Sequence, residues 1–123
     1  MRRSTLIAFV GVALLASTAA PPAFAGYGAL AHDDATGKYG LSSNEETQAK
    51  AEDVAMKVCG SDKCKIVFRT SRRECGAFAT PESGPIWGAG KGSPRSRAEL
   101  DAVQNCQKRT KEQCKVRGAE CNK

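Results

Sequence analysis

One sequence unit occurs twice in this chain, and that repeat limits its fold more than any other feature. The first copy opens with Gly-Ala-Leu-Ala at residues 28–31, and the second opens with Gly-Ala-Phe-Ala at residues 76–79. An aromatic–glycine pair begins eight residues after the last alanine of each opening, at Tyr39 and at Trp87. A fixed internal period indicates a repeat architecture. The repeat predicts two structural units, which span about residues 27–75 and 76–121.

The first unit carries the pattern strand, strand, helix, strand. Short β-prone segments at residues 27–32 and 38–42 flank a turn that contains Asp and Gly, which predicts a hairpin. Apolar residues at helical spacing predict a helix from Glu45 to Val58, with Ser43 as its N-cap. The β-branched and aromatic residues at 65–70 predict a third strand.

The second unit repeats this order with weaker signals. Strands are expected at residues 77–79 and 86–89, followed by a helix over residues 94–107. Residues 115–117 occupy the place of the last strand, and because they are poor in apolar side chains we expect that strand to be short or at a sheet edge. The predicted fold class is α+β, a small disulfide-stapled domain of two related strand-strand-helix-strand units.

Residues 1–25 have the composition of a secretory signal peptide. Two arginines stand near the start, an apolar core follows at residues 6–16, and small residues precede Gly26. That core has about half of the roughly 20 residues that a membrane-spanning helix needs, and no later stretch is apolar enough to span a bilayer. We expect cleavage before Gly26 and export of a single domain, residues 26–123. Its expected location is the periplasm, the cell envelope or the medium.

Six cysteines in an exported chain of this length predict three disulfides. Six cysteines allow fifteen pairings, and a pairing that respects the repeat leaves only a few of them. We favour a scheme in which one disulfide in each unit ties a helix end to the following strand, and a third locks one unit onto the other. The pairs in this scheme are Cys59–Cys64, Cys106–Cys114 and Cys75–Cys121.

Metal or redox chemistry is the competing interpretation of the cysteines. Zinc and dithiol sites usually contain a close Cys-x-x-Cys pair, which this chain lacks. The one histidine, His32, lies far from the cysteines in sequence. The sequence therefore predicts structural disulfides, with no metal and no cofactor.

His32 is also the only imidazole for acid–base catalysis, and Asp33 and Asp34 follow it directly. The three can act as a base or bind a cation, but the tip of a hairpin is where solvated polar residues ordinarily lie. No nucleophile with a neighbouring base stands out. We therefore predict no catalytic residues and favour a non-enzyme. Tyr39 and Trp87 either flank a groove or belong to the core, and strand positions favour the core.

The net positive charge lies entirely in the second unit. Residues 26–75 hold eight basic and eight acidic residues, whereas residues 76–123 hold nine basic and five acidic ones. A glycine-rich run before the second predicted helix suggests an anion site, because helix starts attract anions. The candidate anion-binding residues are Lys91, Arg95 and Arg97. The run lacks the complete phosphate-loop pattern, so a nucleotide site is disfavoured. A solvated basic face also explains the charge, and nucleic acid is not the expected partner.

Short motifs spread over nearly the whole exported chain carry a family resemblance. They are Tyr27–Ala31, Val58–Gly60, Cys64–Val67, Cys75–Ala79, Trp87–Gly90 and Cys121–Asn122. In these motifs the chain resembles the bacterial secreted family known as domain of unknown function 4189 (DUF4189). The resemblance implies a small exported protein, in some cases an effector or surface protein of host-associated bacteria, and it supplies no catalytic residues. A basic insert at residues 107–113 widens the second cysteine spacing relative to that family.

The predicted function is that of a secreted, disulfide-stabilised binding or interaction protein, directed at the host or the envelope. Its expected partner is a protein or another component of either. Two other classes stay open: a small secreted hydrolase, and a cationic factor that binds anionic polymers or membranes through the second unit.

Overall fold

The computed structural model describes Gly11 and residues 26–123, so the predicted leader, apart from that glycine, lies outside the described residues. Residues 26–123 form two sets of four elements. The first unit consists of β1 (Tyr27–His32), β2 (Tyr39–Glu45), α1 (Gln48–Cys59) and β3 (Lys65–Thr70). The second unit consists of β4 (Cys75–Thr80), β5 (Gly88–Gly92), α2 (Arg95–Gln107) and β6 (Lys115–Cys121). The predicted α+β class and the repeated strand-strand-helix-strand order are thereby confirmed.

Each unit is a three-stranded antiparallel sheet covered by one helix. The strand order is β2-β1-β3 in the first unit and β5-β4-β6 in the second, so the opening motif of each repeat forms the central strand. Alternate residues of each central strand are alanines that pack against small residues of the helix. These contacts join Ala29 and Ala31 to Ala51, Ala55 and Cys59, and Ala77 and Ala79 to Ala98, Ala102 and Cys106.

The glycine of each aromatic–glycine pair lets the helix approach the sheet closely. A Cβ atom at Gly40 would lie 2.2 Å from the carbonyl oxygen of Ala55, and one at Gly88 would lie 2.2 Å from the backbone nitrogen of Cys106. Both distances are far below van der Waals contact, so only glycine, which has no Cβ, fits at these two positions. The repeated sequence pattern therefore reflects a repeated helix–sheet contact.

The sheet faces that point away from the helices pack against each other. Leu30 and Phe78, which alternate with the helix-facing alanines, are 0 % and 1 % exposed. Gly76 on β4 lies against Phe68 on β3, and the ring of Tyr39 stacks on that of Phe78 with centroids 4.3 Å apart. The order of layers is therefore helix, sheet, sheet, helix.

The start of α1 differs from the prediction by three residues, since the helix begins at Gln48. Thr47, and not Ser43, is its N-cap, and the Thr47 hydroxyl accepts a backbone hydrogen bond from the first turn at 3.0 Å. Ser43 lies in β2, which a contact from far along the chain holds in place. The side chain of Asn122 accepts a hydrogen bond from the N–H of Asn44 at 2.9 Å.

The three strands of the second unit also differ from their predicted bounds, and β4 covers Cys75–Thr80 where residues 77–79 were predicted. β5 covers Gly88–Gly92 and not residues 86–89, because the glycine-rich run lies flat against α2: a Cβ at Gly90 would lie 2.4 Å from the carbonyl oxygen of Ala98. β6 is an edge strand, which is one of the two predicted outcomes, and it extends over seven residues, Lys115–Cys121. Its last residue, Cys121, is held by a disulfide.

The six cysteines form three disulfides in the pairs that the repeat favours, Cys59–Cys64, Cys106–Cys114 and Cys75–Cys121. The first two connect the end of each helix with the strand region that follows. The third pair does not have the expected role. Cys75 is the first residue of β4 and lies opposite Cys121 of β6 in the same sheet, so this disulfide fastens two strands of the second unit and does not lock the units together. For the same reason Cys75 belongs to the second unit.

The two helices contain 12 and 13 residues. Within residues 26–123, neither has the length and apolar character that a membrane crossing requires.

Candidate functional site

The turn between β1 and β2 is exposed over residues 34–38, as expected of a hairpin tip, but its first residue, Asp33, and the preceding His32 are buried. His32 is 5 % exposed and Asp33 is 1 % exposed. The Asp33 carboxylate accepts hydrogen bonds from the hydroxyls of Ser61 and Thr36, at 2.7 and 2.8 Å, and from the N–H of Ala35 at 2.8 Å. These donors, Ser61 foremost, lower the pKa of Asp33 to about 2. Asp33 thus fastens the turn to the disulfide-closed loop that precedes β3.

His32 lies at the junction of the two units. Its Nδ1 atom is 3.2 Å from Oδ1 of Asp34, and the same oxygen accepts a hydrogen bond from Nε1 of Trp87 at 3.2 Å. The imidazole packs against Trp87 and Phe78 of the second unit, with ring centroids 4.3 and 5.4 Å apart. Burial lowers the pKa of His32 below its ordinary value, and the Asp34 carboxylate opposes that shift. The ring is therefore mostly neutral at pH 7, and the contact with Asp34 favours the tautomer with its proton on Nδ1.

Tyr39 and Trp87, the aromatic residues of the repeated pair, both contribute to this junction. Their rings lie 4.3 and 5.8 Å from that of Phe78. The Tyr39 hydroxyl donates to the carbonyl oxygen of Arg117 in the second unit at 3.0 Å. The Arg109 guanidinium lies over the Trp87 ring, 5.3 Å from its centroid. Both rings are half-buried, so they bridge the two units while each keeps one part at the surface.

Two cavities share His32 as part of their walls. The first, of about 300 Å³, is called here the turn pocket, and its lining residues are His32, Asp33, Asp34, Ala35, Lys63 and Lys65. The second, of about 280 Å³, is called the loop pocket, and it lies between Thr36, Phe78, Trp87 and the loop at residues 80–86. Nε2 of His32 hydrogen-bonds no described residue, and no buried side-chain nitrogen or oxygen in residues 26–123 lacks a partner. Nε2 is therefore within reach of solvent.

The three residues predicted to bind anions are not gathered into one site. Lys91 lies opposite Gly76 in the sheet, on the face that points away from α2, and its Nζ donates to the carbonyl of Arg69 at 3.3 Å. Arg95 begins α2 on the other face and pairs with Glu99 at 3.2 Å. Arg97 packs against Gly92. A compact anion cannot contact Lys91 and Arg95 together, because the sheet separates them.

The His32–Asp34 pair can exchange a proton or a hydrogen bond with a bound molecule through Nε2. The hydroxyls of Ser61 and Thr36, which lie at the turn, donate to Asp33 and not to His32. The pair therefore has no hydroxyl or thiol nucleophile bonded to it within the part of the chain that the structure describes. In that part, no group of three or more His, Cys, Asp or Glu side chains is arranged to hold a metal.

A model of one protein family matches this chain over residues 27–121, a range that contains both units and all six cysteines. The family is described as domain of unknown function, DUF4189. The chain belongs to the DUF4189 family. The resemblance noted in the sequence motifs is thereby confirmed.

Mycobacterial relatives of this DUF4189 chain have been found by sequence and by structure. The uncharacterized proteins Rv1813c of Mycobacterium tuberculosis and Mb1843c of Mycobacterium bovis are each 42 % identical to it over 77 residues, which are 63 % of this chain and 50 % of each relative. The match thus spans about half the length of these curated relatives. The NMR structure of Rv1813c superimposes with a TM-score of 0.61 and 31 % identity, and the superposition covers 99 % of this chain and 96 % of that one. The DUF4189 chain therefore shares its fold with a solved mycobacterial protein.

Sequence reasoning identified the cluster at residues 32–34 and expected it in solvent, where only Asp34 lies, and it did not select Lys63 and Lys65. One available signal was the short disulfide loop, because closing it folds Lys63 back towards the hairpin. No sequence signal identifies Lys65, because its position opposite His32 depends on the strand register, which a single sequence does not reveal.

Proposed function

We propose that this DUF4189 protein is an exported, disulfide-stabilised binding protein and that its ligand binds where His32 lies between the two units. The observation that carries the proposal is the environment of His32, a buried imidazole that contacts Asp34 through one nitrogen and lines two cavities. A buried polar side chain with an unused hydrogen-bonding atom is costly unless water or a ligand satisfies it. Binding sites also occur preferentially at the junctions of structural units.

Export is part of the same proposal. All six cysteines are paired, and such disulfides persist in secreted, periplasmic and cell-surface proteins. The basic, apolar and small-residue pattern of residues 1–25 supports it independently. The proposed location is the periplasm, the cell envelope or the medium, and the proposed partner is a component of the envelope or the host.

Binding at the junction can be tested by screening a fragment library against the ¹⁵N-labelled exported protein by NMR. We expect bound fragments to shift the amide resonances of His32 and Trp87 and to bind more weakly to Asp34→Asn, because that change weakens the acceptor that His32 and Trp87 share. Asp53→Asn, the same change at an exposed carboxylate on α1, is the matched control. Fragments that bind only elsewhere, or equally to both variants, would overturn the junction as the site.

A small hydrolase is the second candidate, and the contact between His32 Nδ1 and Asp34 favours it, because a carboxylate so placed orients a histidine base. Chromogenic ester, amide and phosphate substrates test this candidate. Turnover that is lost in His32→Ala and kept in Asp53→Asn would establish a hydrolase and overturn the binding role. Failure of the wild-type protein to turn over any of the three classes supports the binding role.

A further inference from the structure

The turn pocket places two lysines beside the buried histidine. Lys65 on β3 lies directly opposite His32 on β1, so the two side chains project from the same face of the sheet with Cβ atoms about 5 Å apart. Lys63 lines the pocket from the disulfide-closed loop, and Ser61 of that loop is anchored to Asp33. Neither Lys63 nor Lys65 has an ion-pair or hydrogen-bond partner for its Nζ atom among residues 26–123.

Both carboxylates of the pocket accept hydrogen bonds, Asp33 through both oxygens and Asp34 through one. Asp33 accepts hydrogen bonds from three donors of the turn and the loop. Asp34 shares one oxygen between His32 and Trp87. The donor groups that still lack partners are thus the two ammonium groups and Nε2 of a side chain that is 95 % buried, while the second oxygen of Asp34 belongs to a side chain that is 82 % exposed. All three can donate hydrogen bonds to an anion once the imidazole is protonated.

We propose that the turn pocket binds the anionic group of a small ligand, a carboxylate or a phosphate, between the ammonium groups of Lys63 and Lys65 and the Nε2 atom of His32. This inference rests on the proposed function and adds the chemical class of the ligand. Charge-assisted hydrogen bonds to carboxylate or phosphate are stronger than neutral ones. The volume of about 300 Å³ suits a ligand of metabolite size.

Anion binding is coupled to protonation of His32, because Nδ1 faces Asp34 and Nε2 donates only when the ring carries both protons. The charged groups around the ring are Asp33 and Asp34 of the turn, Lys63 and Lys65, Glu82 of the loop pocket, and Arg109 beyond Trp87. In the free protein burial lowers the pKa of His32, and a bound anion raises it. Binding therefore takes up a proton, and the affinity rises as the pH falls.

Sulfate is the probe for this coupling, because its charge is constant over the range in which histidine titrates. We expect NMR titration of the exported protein with sulfate to shift the His32 ring resonances and the Lys63 amide. The dissociation constant should fall by up to about tenfold for each unit of decreasing pH while the free ring is neutral. In His32→Gln the pH dependence is lost while weak binding by the lysines persists.

The double variant Lys63→Gln/Lys65→Gln should weaken sulfate binding at least about tenfold. Lys50→Gln/Lys57→Gln, the same loss of charge on α1, is the matched control and should bind as the wild type does. Phosphate and acetate, compared at one pH, distinguish the two kinds of anion: tighter binding of either one identifies the ligand class and supports the site.

Sulfate affinity that is independent of pH, or unchanged in the Lys63→Gln/Lys65→Gln variant, would overturn the anion site. The proposed function fails separately. If fragments still bind at the junction and lose affinity in Asp34→Asn, the binding role stands without the anion site, and if no fragment binds there, both proposals fall.

Discussion

Single residues show how little freedom this fold leaves at its contact points. Gly40 and Gly88 occupy equivalent positions in the two units, each against the backbone of the covering helix. Asp33 collects three hydrogen bonds where the turn meets the disulfide loop. Gly40 and Gly88 have no room for a larger side chain, and Asp33 needs its charge to accept these hydrogen bonds. Small substitutions at these residues are therefore expected to change the stability of the protein strongly.

Gly40→Ala and Gly88→Ala are each expected to lower the free energy of unfolding by about 3 kcal/mol or more, because the added methyl group forces the helix away from the sheet. Gly84→Ala is the control: a Cβ there meets nothing within 4 Å, so only its positive φ is costly, by about 1 kcal/mol. Urea unfolding followed by circular dichroism measures all three. Equal losses at Gly40 and Gly84 would contradict the explanation by close packing.

The lowered pKa of Asp33 predicts how the stability of the protein depends on pH. Its value of about 2 in the folded protein lies below the ordinary 3.8, so the carboxylate contributes stability that is present above the unfolded pKa and is lost as the pH falls through the folded one. Between about pH 4 and pH 2, the melting temperature of the wild type should therefore fall more steeply than that of Asp33→Asn. Thermal unfolding at intervals across this range checks it, and parallel curves would show that Asp33 is not the responsible group.

Elements are predictable from this sequence where local pattern and long-range packing agree. β1 and β3 have the bounds that their β-prone residues predict. α1 starts later than its capping residues suggest because Asn44, whose N–H donates to Asn122 from the other end of the chain, has a φ of 56°, which a right-handed helix does not allow. β5 forms from a glycine-rich run, which local propensity disfavours, since only glycine lets α2 lie so close.

The candidate site is likewise predictable from the sequence only in part. A histidine followed by two aspartates can be recognised in the sequence, and a hairpin turn there is predictable from its composition. Burial of His32 and Asp33 is not predictable, because it depends on Phe78 and Trp87 of the second unit and on Ser61 of the disulfide loop.

The disulfides should differ in their contributions according to the loops that they close. Cys75–Cys121 closes a separation of 46 residues and Cys59–Cys64 one of 5. In the loop-entropy model the Cys75–Cys121 disulfide contributes about 4 kcal/mol to the free energy of unfolding and the Cys59–Cys64 disulfide about 2 kcal/mol. Replacing Cys75 and Cys121 by alanine should therefore destabilise the protein more than replacing Cys59 and Cys64. Denaturant midpoints of the two double variants measure the difference. A larger loss from the short loop would show that its anchoring of the turn outweighs chain entropy.

For the molecule as a whole, charge is distributed unevenly. The first unit is balanced, and the second holds nine basic and five acidic residues between positions 76 and 123. Its cations point from both faces of the second sheet, as the positions of Lys91 and Arg95 show. The positive charge of the second unit is therefore spread over both faces of its sheet.

Binding to heparin, a sulfated polymer, tests the hypothesis that the second unit binds anionic polymers through its basic residues. We expect affinity to fall as salt rises from about 20 to about 500 mM, and to be weaker in the variant with Lys91, Arg95 and Arg97 changed to glutamine. Lys50→Gln/Lys57→Gln/Lys38→Gln, which removes three charges from the first unit, is the control. A heparin affinity that is the same at low and high salt would rule out this hypothesis.

The position of Cys75 has a consequence for how the chain is assembled. Since every disulfide lies within one unit, the backbone at residues 71–74 is the only covalent link between the first unit and the second. The molecule is therefore laid out like a dimer of two similar halves that share one chain. In that comparison the junction around His32 and Phe78 takes the place of the interface between the two subunits.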